Sequence, residues 1–311
     1  MTTSEIPGPD PQTLRMNRLI VRELSRAPRW ETLTPDQVRA QVRAGVMGPP
    51  PPKREDLATT REIVGPHGPI GLRIFAPEEV IGVGLHIHGG GFVTGGADQQ
   101  DELLVRRAEG ANMAVVSVDY RLAPEHPWPE PGDDCEAALL WLLDGGAREL
   151  GAESVVLFGE SAGANLVATT LLRLRDRHGW TEARGAALTY GIFDMRMTPS
   201  ARQFGDEPLV LSTPLMRWYH DHYCRVEDHE DPDLSPLLGR LHDMPPALFT
   251  VGSEDPLLDD SLFMEARWRA AGNSTRLRVY PGAPHSFDTF PLPIGQEAEA
   301  SITRFLASSL A

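Results

Sequence analysis

Three short stretches of the chain each end in a residue that could take part in moving an acyl group. The first is Gly159-Glu160-Ser161-Ala162-Gly163, preceded by the β-forming run Val155 to Phe158 and followed by a helical segment from Asn165 to about Arg175. A serine hydroxyl is a weak nucleophile until a base takes its proton, and that base must be held in place by an acid. A serine at the apex of a strand–turn–helix clears its neighbours only if the residues two before and two after it are very small. Gly159 and Gly163 meet that demand. The helix start behind Ser161 would aim backbone N–H groups and partial positive charge at an anion forming there. The second stretch is Pro281-Gly-Ala-Pro-His285-Ser-Phe287, which follows a strand predicted over Thr275 to Tyr280. It holds the only histidine after His242, so His285 is the candidate base. The third follows a strand predicted over Ala247 to Val251, where Glu254, Asp255, Asp259 and Asp260 crowd together. Asp259 and Asp260 fall where the next helix should begin. Asp255 sits in the strand-end loop just before Pro256, and it is taken as the acid. Both loops lie at C-terminal strand ends, where open α/β sheets place their sites. The plainer alternative for this pair is an acidic helix cap and a loop histidine.

An acyl-transfer site also needs donors for the oxyanion of a tetrahedral intermediate. Gly89-Gly90-Gly91, directly after a buried strand predicted over Ile81 to His88, is a backbone free to turn its N–H groups inward. The N–H of Ala162 is the second source.

The elements that would carry these loops alternate. Strands are predicted at 81–88, 114–119, 155–158, 185–190, 247–251 and 275–280, and helices at 99–110, 133–143, 165–175, 258–271 and 296–307. Strands separated by helices imply βαβ units and a mainly parallel sheet with helices on both faces. Before them come a hairpin, 61–64 and 70–75 around Pro66-His67-Gly68, and two helices within 11–45, the second capped at Thr34-Pro35-Asp36. Pro49 to Pro52 read as a linker. The loop from Tyr120 to Pro129 is too rich in proline to be regular. Between Phe193 and Pro245 the alternation breaks, leaving irregular sequence around one helix at 213–223. An insertion of that kind suggests a lid or cap.

Composition narrows the classes. At 311 residues with 41% hydrophobic and 23% charged residues, the chain can bury a large core. A net charge of −15 argues against nucleic acid or an anionic membrane as partner. Two cysteines, Cys135 and Cys224, make no disulfide scaffold, although a single bridge stays open. No apolar run reaches the roughly 18 residues of a membrane span, and the polar, proline-rich start has no leader pattern, so a cytoplasmic location is expected. His220 and Cys224 are four apart, but their spacing fits no standard zinc pattern. With Asp228-His-Glu-Asp231 they are expected to be a solvated part of the cap, with no metal.

Taken together, His88-Gly-Gly-Gly-Phe92, Asp119-Tyr-Arg-Leu-Ala-Pro-Glu-His-Pro-Trp-Pro129, Gly159-Glu-Ser-Ala-Gly163, Asp255-Pro-Leu-Leu-Asp259 and His285-Ser-Phe287 resemble the hormone-sensitive-lipase-like branch of the α/β-hydrolases, the bacterial esterases with an HGGG signature. The resemblance runs from about residue 61 to the C-terminus. It implies an α/β-hydrolase fold with a helical cap: residues 1–52 supply N-terminal helices to the cap, and 53–311 form the catalytic domain with a cap insertion at about 194–230. It implies Ser161 as nucleophile with Asp255 and His285 as relay partners, and Gly90, Gly91 and Ala162 as oxyanion donors, with Gly89 as an alternative contributor. The 119–129 segment would brace the glycine turn without a catalytic part. Phe92, Trp218 and Tyr219 are the candidate pocket residues, Trp218 and Tyr219 being equally open to simple core packing. The implied activity is hydrolysis of short- to medium-chain acyl esters, a small-molecule ester substrate with no cofactor; a homodimer is left open. The alternatives are a lactonase or amidase with the same triad, or a non-catalytic small-molecule binder, a class that the presence of His285 disfavours. One departure is Ser286, where the family often has glycine.

Overall fold

The computed structural model describes residues 8–45, 53 and 55–311; the predicted proline linker lies outside them. The N-terminal segment holds two helices, α1 (Pro11–Leu24), capped by the Asp10 carboxylate, and α2 (Pro35–Arg43), whose Thr34 and Gln37 side chains and backbone amides bond each other reciprocally. Eight strands follow: β1 (Ala58–Gly65), β2 (Gly68–Phe75), β3 (Gly82–Ile87), β4 (Met113–Asp119), β5 (Val155–Glu160), β6 (Gly185–Thr189), β7 (Ala247–Glu254) and β8 (Thr275–Pro284). They form one sheet in the order β1-β2-β4-β3-β5-β6-β7-β8. β1, β2 and β4 pair antiparallel, and every pair from β4 onward is parallel.

Between the strands run α3 (Asp101–Ala111), α4 (Glu130–Trp141), which passes through a π turn into the single turn α5 (Ala147–Glu149), then α6 (Ala162–His178), α9 (Leu258–Ala270) and the C-terminal α10 (Pro293–Leu310). β5 shows why the sheet is covered twice. Val155 and Leu157 join the core shared with α4, α6 and α9, while Val156 and Phe158 join the one shared with α3 and α10. Successive side chains of a strand point to opposite faces, and here both sets are apolar, as a parallel sheet buried on both sides requires. The interval from β6 to β7 carries α8 (Thr213–Tyr223), as the sequence predicts. It also carries α7 (Pro199–Gln203), which the prediction lacks because a single turn opening on proline shows no periodicity. No helix among the described residues is long and apolar enough to cross a membrane. Cys135 and Cys224 are both free, which closes the bridge left open by the sequence.

Candidate active site

Ser161 stands between β5 and α6 at φ 56° and ψ −118°, a conformation that a residue with a Cβ seldom adopts. The elbow is packed so tightly that a Cβ on Gly163 would lie 1.9 Å from the Ile87 carbonyl oxygen, and one on Gly159 would lie 2.6 Å from the same atom. Larger residues at either position would push the turn off β3. The Ser161 amide donates to the Thr189 carbonyl at 2.9 Å, fixing the apex to β6. This bond takes the Ser161 N–H out of reach of a ligand. The Ala162 N–H lies in the first turn of α6, where amides have no intrahelical partner.

The Ser161 hydroxyl lies 3.0 Å from Nε2 of His285, and Nδ1 of the same ring lies 2.9 Å from Oδ2 of Asp255. A carboxylate on Nδ1 sets the proton there and leaves the Nε2 lone pair to accept from the serine. Asp255 is itself held, its Oδ1 accepting from the Leu257 amide at 2.8 Å. The other carboxylates that the sequence placed nearby turn elsewhere. Asp259 accepts from the Ser200 amide, and Asp260 accepts from the Phe193 and Asp194 amides and from the Thr198 hydroxyl. Such a line of hydroxyl, imidazole and carboxylate can pass a proton from oxygen to nitrogen while the buried carboxylate stabilises the resulting charge.

The glycine turn lies across the cleft. Gly90 and Gly91 have φ of 115° and 60°, and Phe92 follows at 64°. A Cβ on Gly90 would meet the Thr94 carbonyl, and one on Gly91 would enter the Tyr219 ring. Gly89 sits against the elbow, where a Cβ would lie 2.8 Å from the Glu160 carbonyl oxygen. The proline-rich loop braces this turn: the Ala123 amide donates to the Phe92 carbonyl at 2.9 Å and the Tyr120 hydroxyl to the His88 carbonyl at 2.8 Å. His88 stacks on Tyr120 and is fully buried, which lowers its pKa to about 4 and keeps it neutral.

The serine, the histidine and the glycine turn open onto one cavity of about 310 Å³, whose wall includes Ser161, His285, Gly89, Gly90, Gly91 and Ala162. Tyr219 lines it, and Phe92 reaches it while stacked on Tyr223 at 3.8 Å. Trp218 does not line it: the indole packs on Tyr219 and His222, and its N–H donates to the Leu33 carbonyl at 3.2 Å. Trp218 therefore joins α8 to the N-terminal segment, because the residue beside Tyr219 on a helix faces another way. His220 corrects a second expectation. It is buried against the cavity, with its pKa lowered to about 4 by desolvation, and is no part of a solvated surface. Among the described residues no group of three or more histidines, cysteines or carboxylates could hold a metal.

The sequence reading missed several wall residues. Tyr190, at the C-terminal end of β6, tilts against His285 at 4.7 Å and donates its hydroxyl to Asp288 at 2.6 Å. Its place at a strand end is the signal that could have found it. Leu211, Leu215 and Met216 come from the irregular insertion, and Trp30 and Val42 from the N-terminal segment; no motif marks them.

The chain is similar to known proteins over most of its length. A family model described as alpha/beta hydrolase fold matches residues 84–289. The carboxylic ester hydrolase LipN of Mycobacterium tuberculosis is 34% identical over 259 residues, 80% of this chain and 69% of that protein. The carboxylesterase NlhH of the same organism is 32% identical over 282 residues, 84% of this chain and 85% of its own. Among solved structures, the esterase of the archaeon Pyrobaculum calidifontis superposes with a TM-score of 0.86 at 28% identity, covering 98% of this chain and all of the other. The chain belongs to the α/β-hydrolase fold family, in its hormone-sensitive-lipase-like branch, and is an ester hydrolase.

Proposed function

We propose that this hydrolase cleaves short- to medium-chain carboxylic esters through an acyl-enzyme on Ser161. His285 takes the hydroxyl proton as Ser161 Oγ attacks the ester carbonyl, and Asp255 stabilises the imidazolium. The oxyanion is held by the N–H groups of Gly90, Gly91 and Ala162. As the tetrahedral intermediate collapses, His285 returns its proton to the departing alcohol. Water then repeats the steps: His285 takes its proton, the hydroxide attacks the acyl carbonyl, and Ser161 leaves with that proton. The observation that carries the reading is the unbroken line of 3.0 Å and 2.9 Å contacts opening onto an otherwise mostly apolar cavity.

The acyl-length reading is supported by volume. At about 310 Å³ the cavity is at the small end of ligand sites, a size that suits a short or medium acyl chain. In this reading the N-terminal segment and the insertion that carries α8 form the cap, since Trp30 and Val42 of the one and Leu215 and Tyr219 of the other line that space. Hydrolysis of a p-nitrophenyl acyl series, from acetate to palmitate, tests both claims. The expected result is activity highest on the short members and falling steeply toward palmitate. Ser161→Ala should lower kcat on the order of a million-fold. Activity greatest on palmitate would overturn the length assignment, and an undiminished Ser161→Ala variant would overturn the nucleophile.

A further inference from the structure

Arg39 lies on α2, yet its guanidinium ends on the outside of the glycine turn. Nε donates to the Val93 carbonyl at 2.8 Å and Nη2 to the Ala123 carbonyl at 2.7 Å, while Nη1 and Nη2 form a two-pronged pair with the Glu125 carboxylate at 2.8 and 2.7 Å. One planar group thus ties together three segments distant in sequence, as the forked geometry of arginine allows. Arg39 also holds the Glu125 carboxyl down at about 2, so the pair stays charged at neutral pH.

The turn that Arg39 grips is aimed by the groups that hold its carbonyls. Gly90 and Gly91 carry no side chains through which their surroundings could orient the two peptide planes. Those planes are set by what holds the neighbouring carbonyls. The Gly90 oxygen accepts from the Thr94 amide and hydroxyl, both at 2.9 Å; the Phe92 oxygen accepts from Ala123, and the Val93 oxygen from Arg39. Val93 is fully buried while Arg39 covers it, so losing Arg39 would take from its carbonyl the guanidinium that it is bonded to. The turn would shift to satisfy that oxygen, and its N–H groups would shift with it.

We propose that Arg39 is a positioning residue for the oxyanion turn, through which the N-terminal segment governs kcat and not only the shape of the substrate cavity. The inference rests on the reading of Ser161 and the glycine turn given above. Displacing a donor by about an ångström costs roughly a hundredfold in rate, and removing one donor costs 10²- to 10³-fold. Arg39→Met is therefore expected to lower kcat by about ten- to a hundredfold with KM changed by less than about twofold.

The test uses the full chain, with active sites counted by a fluorophosphonate so that misfolded protein drops out of the rate. Inhibition by a phenylboronic acid, which forms a tetrahedral adduct on the serine, should weaken in proportion to the fall in kcat. Arg39→Lys should recover part of the rate, since a lysine can donate to one or two of the carbonyls but cannot span all of them. It also serves as the reporter if Arg39→Met does not fold. Glu125→Gln leaves the two carbonyl bonds in place and should keep most of the activity. Unchanged kcat per titrated site in Arg39→Met overturns the inference, as does a Glu125→Gln variant that reproduces the whole loss. Neither outcome touches the nucleophile assignment, which fails if Ser161→Ala stays active.

Discussion

Directly after the base, Ser286 occupies the left-handed region at φ 58° and ψ 24°. Such a conformation costs a residue with a Cβ roughly 1–2 kcal/mol, and glycine there would lose about 0.5–1 kcal/mol of that gain to the greater freedom of its unfolded chain. Ser286→Gly is therefore predicted to stabilise the protein by about 0.5 kcal/mol without changing kcat, read as a higher denaturant midpoint; a lower midpoint would contradict the argument. The same residue shows what makes a site legible. Ser161 and His285 announce themselves because their surroundings demand unusual neighbours: two glycines at the elbow, and a lone histidine after a strand. Asp255 was separable from three nearby carboxylates only by its place before the helix, and the 2.9 Å contact with His285 is consistent with that choice. Tyr190 and Arg39 carry no such mark, since what matters about each is the residue it meets from a distant part of the chain.

At the scale of the elements, α9 does more than cover β7 and β8. Asp260 in its first turn is fully buried and gathers the Phe193 and Asp194 amides with the Thr198 hydroxyl, tying the start of the insertion between β6 and β7 to α9. Desolvation raises its pKa from 3.8 to about 7. Between those values the folded protein keeps a proton that the unfolded chain gives up. The stability Asp260 contributes is thus fully present below about pH 3.8 and is lost as pH rises through about 7. Asp260→Asn removes that titration, so wild-type stability relative to the variant should fall between pH 4 and pH 8, by a few kcal/mol at most. Urea unfolding of both proteins across that range checks it, and parallel curves would contradict it. The strands and long helices that frame this region were readable because their periodicity is strong. In the insertion only α8 is readable by its periodicity, so α7 is missed, and the wall residues Leu211, Leu215 and Met216 carry no motif that marks them. Their roles depend on how the insertion folds back over the sheet.

For the molecule as a whole, the nucleophile rests on a base that reaches the far face of the sheet. Glu160, next to Ser161, is bonded to Arg107 of α3 at 2.6 Å and to His86 of β3 at 3.0 Å, and Arg107 is held in turn by Glu299 of the C-terminal helix at 2.9 Å. Desolvation works against the Glu160 charge, but its cationic partner and His86 more than offset it and leave the pKa at about 2. A buried network with its charges paired resists rearrangement, because breaking one link strands the others away from water. That rigidity lets the strained elbow hold its angle while the N-terminal segment and the insertion between β6 and β7, tied on through Trp218, Arg39 and Asp260, shape the space above it. The central claim is that one serine at the apex of this frame carries the reaction. The most direct measurement is to label the protein with a fluorophosphonate, locate the adduct by peptide mass spectrometry and follow ester hydrolysis alongside. The account predicts one label per chain, on the Ser161 peptide, with activity lost in step. A label on any other residue, or hydrolysis that persists once Ser161 is fully modified, would contradict it.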